Sequence, residues 1–586
     1  MMDSAIRNIV SSATLRNWNR LHIDGAERLT NRVNKVASKR IVLPKNYIND
    51  TAYRTKVEET VAALSRLNGE ISNVIYTLCI CKLRLFNILD KDNVRVALNG
   101  YRDCNYLDSA CVDTDIFDER YDAIGYIYQA LNSEGKRNAL GQYYTGKDIV
   151  MSMVEDISLD DGIFLDPCCG SGSFLMGMDT NHPENLYGVD IDRLSVLIAS
   201  TNLLCKYRDN DFIPNIYCFD FLADGDDASP VEQNRIRNLR FDYIFTNPPW
   251  GADRNGNHRS VNIISKEKTS LFLERSVALL NSGGRLRFLM PSSILKIRNH
   301  RDIRKFILRS ATITDIRFYD RNRFSGVFTD FISLGIENVA PRKTYACSVQ
   351  RGDRSYMVSV DPSDGDAIFT TDDVYESIWS KVCKLKNDDL SHSVWGLGIV
   401  TGDNRNKIAN EALDGYECVY TGKEISKYIL SESSKYIRYD RASLQQCAKD
   451  EIYRAGEKLI YKFISRVPVF AYDNLGRLFL NSANILIPSV ESLSMKSVMA
   501  MLNSELYQFL YMQKFDDMKI LKGNLSSLPF PKLTAAQDEY LRMSVDLILH
   551  GEDNVQQDID AFVYEFFNIR SREIHYIRER LYGRSH

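Results

Sequence analysis

The sequence predicts an α/β protein of several domains, organised around a doubly wound, mostly parallel sheet. Its 586 residues are too many for one hydrophobic core at roughly 150 residues per domain. Between residues 134 and 340, short apolar runs (Ile163-Phe164-Leu165, Leu186-Tyr187-Gly188-Val189, Ile216-Tyr217-Cys218-Phe219, Tyr243-Ile244-Phe245) alternate with segments of helix length. Strands that crossover helices bury on both faces read this way. Each run ends in a polar or glycine-rich turn, at Asp166, Asp190, Asp220 and Asn247. Ligands of open α/β sheets bind beyond the carboxyl ends of the strands, so these positions are expected to converge on one edge.

The elements follow in chain order. Residues 14–45 form a basic arm, with Arg16, Arg20, Arg28, Arg32, Lys35, Lys39, Arg40 and Lys45 against only Asp24 and Glu27, which is either a solvated face or a binding arm. From Thr55 to Leu131 apolar residues recur at helical spacing (Val57, Val61, Leu64, then Ile71, Val74, Ile75, Leu78), so residues 1–133 read as a mainly helical amino-terminal region. Residues 134–340 carry the sheet. A charged stretch with Pro341, Gly352, Pro362 and Gly365 makes 341–390 a connection. Residues 391–586 are a second domain, rich in aromatics and turns, and its tail places Ile559, Phe562, Val563, Phe566 and Phe567 in helical register.

Composition narrows the class. Hydrophobic residues are 44% and charged residues 26% of the chain, ordinary for a packed globular protein and far from the signature of disorder. The formal net charge is −3, so any nucleic-acid face must be a local patch. The most apolar early stretch, Ile71 to Leu89, contains Lys82 and Arg84 and falls short of a membrane span of about 20 residues. The start, Met1-Met2-Asp3-Ser4, lacks a charged leader followed by an apolar run, so the expectation is a cytoplasmic chain with reduced cysteines. Cys79/Cys81 and Cys168/Cys169 are too close together for zinc-type pairs, and no matching Cys or His pair follows; no metal is expected.

Two motifs carry chemistry. Asp166-Pro167-Cys168-Cys169-Gly170-Ser171-Gly172-Ser173 leads from a strand through a glycine turn into an apolar helix; glycines let backbone approach a ligand closely. Alone, it is a tight turn. Asp190, at the next strand end, places a carboxylate where nucleotide-binding units hold ribose hydroxyls, and the lack of a pyrophosphate fingerprint favours a nucleoside without phosphates. The second motif, Asn247-Pro248-Pro249-Trp250, sets an amide, rigid carbonyls and an indole side by side. Such a group accepts hydrogen bonds from the amino substituent of a planar ring and stacks on its face.

In this order, Asp166 to Gly172, Asp190, Asp220-Phe221-Leu222 and Asn247 to Trp250 resemble the motifs of gamma-class S-adenosylmethionine-dependent methyltransferases acting on the adenine N6 of DNA, as found in restriction–modification systems. Upstream, Leu140-Gly141-Gln142-Tyr143-Tyr144-Thr145 is similar to their segment over the methionine end of the cofactor, with Leu140 where an aromatic is usual. The resemblance implies a Rossmann-like methyltransferase domain with S-adenosylmethionine as cofactor. It implies that Tyr143, Thr145, Asp166, Pro167, Cys168, Gly170 and Gly172 surround the methionine end, with Asn247 also beside the cofactor. Asp190 would take the ribose, and Ile191, Asp220 and Phe221 the cofactor's adenine. Asn247, Pro248, Pro249 and Trp250 would receive a flipped-out target adenine, with Phe324, in preference to Phe328, on its other face. Ser270 to Leu273 and Gly283 to Phe288 resemble the later structural motifs.

Residues 391–586 resemble the α+β target-recognition region of TaqI-like methyltransferases through Gly398 to Asn404, Lys458 to Tyr461, Asn481 to Asn484 and Leu528 to Pro531. The expected partner is double-stranded DNA, bound by a monomer, with a separately encoded endonuclease as a further partner that such systems have. Arg298, Arg301, Arg323, Arg405, Lys407, Lys462 and Arg466 are candidate DNA contacts, for phosphates as readily as for bases. Two alternatives stay open at this point: a methyltransferase of RNA or a protein glutamine, and a polypeptide that also cuts DNA, although the amino-terminal region shows no paired-acid and lysine nuclease motif.

Overall fold

The computed structural model describes residues 43, 45, 47–65, 70–107, 114–118, 120–132, 145–159, 162–223, 231–251, 258, 260–295, 300–319, 330–363, 368, 370–515 and 518–583. These fall into two compact units, one within 33–370 and one within 371–586. The expected basic arm lies almost wholly outside the described residues.

The first unit is built on strands β1 (Phe164–Asp166), β2 (Leu186–Asp190), β3 (Asn215–Cys218), β4 (Phe241–Thr246), β5 (Leu280–Pro291), β6 (Thr312–Tyr319), β7 (Phe331–Glu337), β8 (Tyr345–Arg351) and β9 (Arg354–Val360), in the order β3-β2-β1-β4-β5-β7-β6-β8-β9. The pairs from β3 to β5 are parallel, β7 is antiparallel to both β5 and β6, and β8 runs parallel to β6 with β9 antiparallel beside it. Alternation along the strands shows why helices cover both faces. Leu165 and Ile244 enter one core with Phe272 and Ile303, while their neighbours Phe164 and Phe245 enter another with Val150 and Leu203. A period of two sends successive side chains to opposite faces.

The amino-terminal helices Thr51–Leu64, Ile71–Leu85 and Ala123–Leu131 belong to this same unit. They share a core with Leu197 and Ile198 of the helix Arg193–Lys206, so the region expected as separate at 1–133 is a further layer on the sheet. The boundary expected at 340 also differs. Residues 345–360 are β8 and β9, which extend the sheet, and Asp373–Lys384 is a helix of the second unit. The prolines, glycines and charges of 341–390 signal turns and exposed strand faces; pairing with β6, a non-local contact, decides that the segment is sheet.

The second unit has a four-stranded sheet of the strands Val394–Leu397, Ala483–Ile487, Lys458–Lys462 and Phe470–Asp473, in that order. Leu459, Tyr461 and Leu486 face a core shared with the helices Met495–Asn503, Glu505–Phe515 and Val555–Phe566. Ile460 and Ile485 face a second core with Val419 and Ile437, which belong to a sheet of the strands Ile408–Ala409, Tyr436–Ile437, Glu417–Tyr420 and Leu478–Phe479. Gly398 is required where these layers meet. A Cβ there would lie 2.2 Å from the Leu480 carbonyl and 2.3 Å from that of Ala483. Among the described residues, no helix is long and apolar enough to cross a membrane.

Candidate active site

Parallel pairing brings the expected positions to one edge. Asp166, Asp190 and Thr246 end the neighbouring strands β1, β2 and β4, and Asp220 follows β3. Three strand spacings of about 4.8 Å separate the β3 end from the β4 end, about 14 Å in all. An elongated ligand lying along the edge would meet all four.

The glycine turn opens the site. Gly170 and Gly172 have φ of 53° and 90°, the left-handed region that glycine enters without strain. A Cβ on Gly172 would meet Ala199 at 3.2 Å, so this glycine also lets the turn lie close on the helix Arg193–Lys206. The Asp190 carboxylate accepts from the Gly170 amide at 2.9 Å and the Asp192 amide at 2.8 Å. Burial pushes Asp190 up to about 6, against the hydrogen bonds from these amides. Ile191, just beyond it, is 59% exposed, a bare apolar side chain at the strand end.

Asp166 is 1% exposed. Its carboxylate accepts from Thr246 Oγ1 at 2.6 Å and the Cys168 amide at 3.2 Å, and burial pushes it up to about 7. Burial likewise raises the Cys168 and Cys169 thiols, helped for Cys168 by Asp166 and for Cys169 by Asp190. They are neutral thiols; nucleophilic chemistry needs the thiolate. Cys168 Sγ lies 2.9 Å from Thr246 Oγ1 and donates to the Asn247 carbonyl at 3.5 Å.

Asn247 Nδ2 donates to Thr145 Oγ1 at 3.2 Å, which fixes the amide plane. Thr145, 4% exposed, also borders a hollow of about 350 Å³ with Tyr47, Asp122, Ser171 and Ser173. Pro248 is buried and Pro249 half-buried; the Pro249 carbonyl accepts from Thr269 Oγ1 at 3.2 Å. The half-buried Trp250 donates from Nε1 to the Leu289 carbonyl at 3.3 Å, its ring centroid 6.1 Å from that of Phe331. One edge of the indole is thus tied to β5.

Other expected residues are placed differently. Phe221 is 5% exposed and stacks on Phe272 at 5.4 Å, so at least one ring face serves the core. Asp220 accepts from the Leu222 amide at 2.9 Å and lies 3.0 Å from His258 Nε2. Arg301 begins the helix Arg301–Ser310. Arg405 and Arg466 are exposed and Lys462 half-buried. The Lys407 ammonium donates to the Thr401 carbonyl at 2.9 Å and to the Ser443 carbonyl; it pins a loop, a role that its surface-cation spacing does not reveal. Tyr143, Arg298, Arg323, Phe324 and Phe328 lie outside the described residues. Sequence reasoning missed Thr246 and His258. The first had a signal, a hydroxyl directly before Asn-Pro-Pro; the second had none, because 38 residues separate it from Asp220. Among the described residues, no group of His, Cys, Asp and Glu could hold a metal.

Comparisons with known proteins bear on this edge. Residues 184–324 match the family model described as Eco57I restriction-modification methylase, and residues 417–530 the TaqI-like C-terminal specificity domain. The chain is 30% identical over 318 residues to the type II methyltransferase M.VspI of Vibrio sp. (strain 343), covering 51% of this chain and 74% of that protein. It is 23% identical over 279 residues to the type II restriction enzyme and methyltransferase RM.Eco57I of Escherichia coli, over 36% of this chain and 26% of that one. Its fold is similar to that of the type IIL restriction-modification enzyme MmeI, solved in complex with DNA, at a TM-score of 0.59 and 12% identity, covering 91% and 98% of the two chains. The DrdV–DNA complex follows at a TM-score of 0.52 and 13% identity, covering 85% and 69%. The chain belongs to the methyltransferases of restriction–modification systems, with an Eco57I-type methylase region followed by a TaqI-like specificity domain.

Proposed function

We propose that the protein transfers a methyl group from S-adenosylmethionine to the N6 amine of an adenine within a short DNA sequence, a host-protective modification. The observation that carries this reading is the placement of Asn247-Pro248-Pro249-Trp250 just past the end of β4, the strand beside Asp166, with Asp190 and Asp220 at the next two strand ends. The edge fits the cofactor's parts in order. Asp220 and Ile191 suit an adenine, the half-buried Asp190 carboxylate suits two ribose hydroxyls, and the glycine turn with Asp166, Pro167, Cys168 and Thr145 suits the amino-acid end. Phe221, packed on Phe272, walls the adenine end. When bound, S-adenosylmethionine supplies an electrophilic methyl group, the S–CH3 bond breaking to leave S-adenosylhomocysteine while the methylated amine gives up one proton to water.

The chain's own residues do the rest. An adenine in a duplex hides its amine in a base pair, so the nucleotide must leave the stack at a cost of a few kcal/mol. The Trp250 indole, held against β5, offsets that cost by stacking on the extruded base, and Phe324 is assigned to the opposite face. The Asn247 amide and the Pro248 carbonyl accept hydrogen bonds from the amine. That orients its nitrogen and stabilises the positive charge that develops on it. The chemistry asks for no nucleophilic side chain, in keeping with the neutral Cys168 and Cys169.

The second unit reads the sequence in this proposal, with Arg405, Lys462 and Arg466 at the DNA, and Arg301, Arg298 and Arg323 supporting phosphates from the methylase side. The protein acts as a monomer, and the endonuclease is a separate chain. Incubation with S-adenosylmethionine and unmodified genomic DNA, followed by single-molecule sequencing, tests the reading. N6-methyladenine confined to one short motif is expected. Methyl groups on cytosine would overturn the target, and label entering RNA or protein instead of DNA would overturn the substrate.

A further inference from the structure

The helix Ala123–Leu131 lies against both turns that form the cofactor edge. At its start, Asp122 caps the helix by accepting from the Gly125 amide at 2.9 Å. The same carboxylate accepts from Tyr47 Oη at 2.7 Å and from Asn202 Nδ2 at 3.0 Å. Tyr47 Oη in turn lies 3.2 Å from both Ser171 Oγ and Ser173 Oγ, and Asn202 Nδ2 donates to the Ser171 carbonyl at 3.1 Å. Lys82 Nζ, on a residue only 5% exposed, donates to Asn202 Oδ1 at 2.7 Å. Ser171 is the residue between the two left-handed glycines, and the helix makes room for it: a Cβ on Gly125 would lie 2.8 Å from Ser171 Oγ.

Further along the same helix, Tyr128 Oη donates to Asp192 Oδ2 at 2.5 Å. Asp192 caps the helix Arg193–Lys206, and its amide donates to Asp190 Oδ1 at 2.8 Å. Burial and the adjacent Asp192 carboxylate hold the Tyr128 phenol well above its ordinary value, so it stays a donor at any physiological pH. Two polar contacts from one amino-terminal helix layer therefore reach both turns, and those turns are already joined by the bond from the Gly170 amide to Asp190.

We infer that Tyr47, through Asp122 and Ser171, and Tyr128, through Asp192, are positioning residues that hold the two turns in the shape the cofactor needs, so that the amino-terminal helices set cofactor affinity. This rests on the reading of that edge as the S-adenosylmethionine site. The physical ground is preorganisation. A ligand whose competent site is populated only in part binds more weakly by that fraction, and once bound it holds the turns itself. Loosening the turns should thus weaken binding and spare the chemical step.

Three deletions of the same group, in the full-length protein, test this. Tyr47→Phe and Tyr128→Phe remove hydroxyls that reach the turns. Tyr126→Phe removes one from the same helix whose partner is Glu58 Oε1 at 2.8 Å, away from both turns. Calorimetric titration with S-adenosylmethionine, without DNA, should give Kd about 10-fold higher for Tyr47→Phe and Tyr128→Phe, as for loss of one hydrogen bond to a charged group. At saturating cofactor, kcat should stay within about 2-fold. Tyr126→Phe should leave Kd unchanged although it lowers Tm. If the first two variants bind normally while Asp190→Ala loses binding, the positioning role is wrong and the cofactor site stands. If Asp190→Ala also binds normally, the cofactor site itself is wrong. A Kd raised equally by Tyr126→Phe would make the effect general softening of the helix and overturn the proposal.

Discussion

Thr246 Oγ1 lies 2.6 Å from Asp166 Oδ1, joining the strand that ends in Asn-Pro-Pro-Trp to the strand that opens the glycine turn. The two motifs are 80 residues apart in the chain, and this bond fixes their spacing across the edge. Thr246→Val keeps the shape and leaves a buried carboxyl without one donor, which costs about 1–3 kcal/mol. Urea unfolding should show that loss, and methyl transfer should fall with it. A variant as stable and active as the parent would mean that the contact does not set the site.

Asn247→Ala should separate transfer from binding. Its amide bonds Thr145 and, in the proposed role, the target amine. Single-turnover transfer should drop by about 100-fold or more, in the range seen on removing one positioned polar group, with cofactor Kd within about 2-fold. Asp190→Ala should do the opposite and weaken the cofactor first. The reverse pattern would mean that the subsites are exchanged.

Cofactor affinity should depend on pH. Burial pushes Asp190 up to about 6 and Asp166 up to about 7, whereas unfolded carboxyls titrate near 4. Between about pH 4 and 7 the folded protein keeps protons that the unfolded chain releases, so fewer protons are bound unfolded than folded, and the stability of the free protein falls as pH rises through that window. Hydroxyl donors favour the ionised carboxylate. Binding of S-adenosylmethionine should therefore tighten from pH 5 to 8 with an inflection near 6 and release protons. Titrations in two buffers of different ionisation enthalpy measure the release; a flat affinity with no proton release would remove Asp190 from the ribose.

The second unit holds a buried ion pair whose rupture should be costly. Lys458 Nζ lies 2.5 Å from Asp473 Oδ2, both side chains 0% exposed, and Arg477 bonds the same carboxylate at 2.9 Å. Burial holds Lys458 below its ordinary value; burial also raises Asp473, but Lys458, the Leu475 amide and Arg477 together keep it low. Lys458→Met leaves the buried Asp473 carboxylate with the partly exposed Arg477 as its remaining charged partner and should destabilise the unit by up to about 3 kcal/mol, whereas the double change with Asp473→Leu should recover much of that. Denaturant melts of the single and double variants decide it; additive losses would mean that the two charges do not act as a pair.

Much of the fold was legible in the sequence because it follows from local rules. Apolar runs bounded by turns predict β1 to β4, and helical spacing predicts the amino-terminal helices and the tail. The shared edge was legible where one short segment carries both the backbone geometry and the side chain, as in Asp166 to Gly172 and Asn247 to Trp250. Asp190 and Asp220 were legible because parallel strands must end on the same edge.

Tertiary structure decided what depends on partners distant in the chain. Pairing with β6 made 345–360 part of the sheet, where turn-forming residues read as a connection. Lys407 became a loop pin once the Thr401 and Ser443 carbonyls stood within its reach. The helix Ala123–Leu131 reads in sequence as part of a separate region, yet Asp122, at its start, bonds Asn202 80 residues on, and Tyr128 bonds Asp192 64 residues on, at the end of β2. Periodicity fixes which face of an element is buried. It says nothing of which polar groups will meet across that face, because a hydrogen bond depends on positions to a few tenths of an ångström, and only the packed chain supplies those.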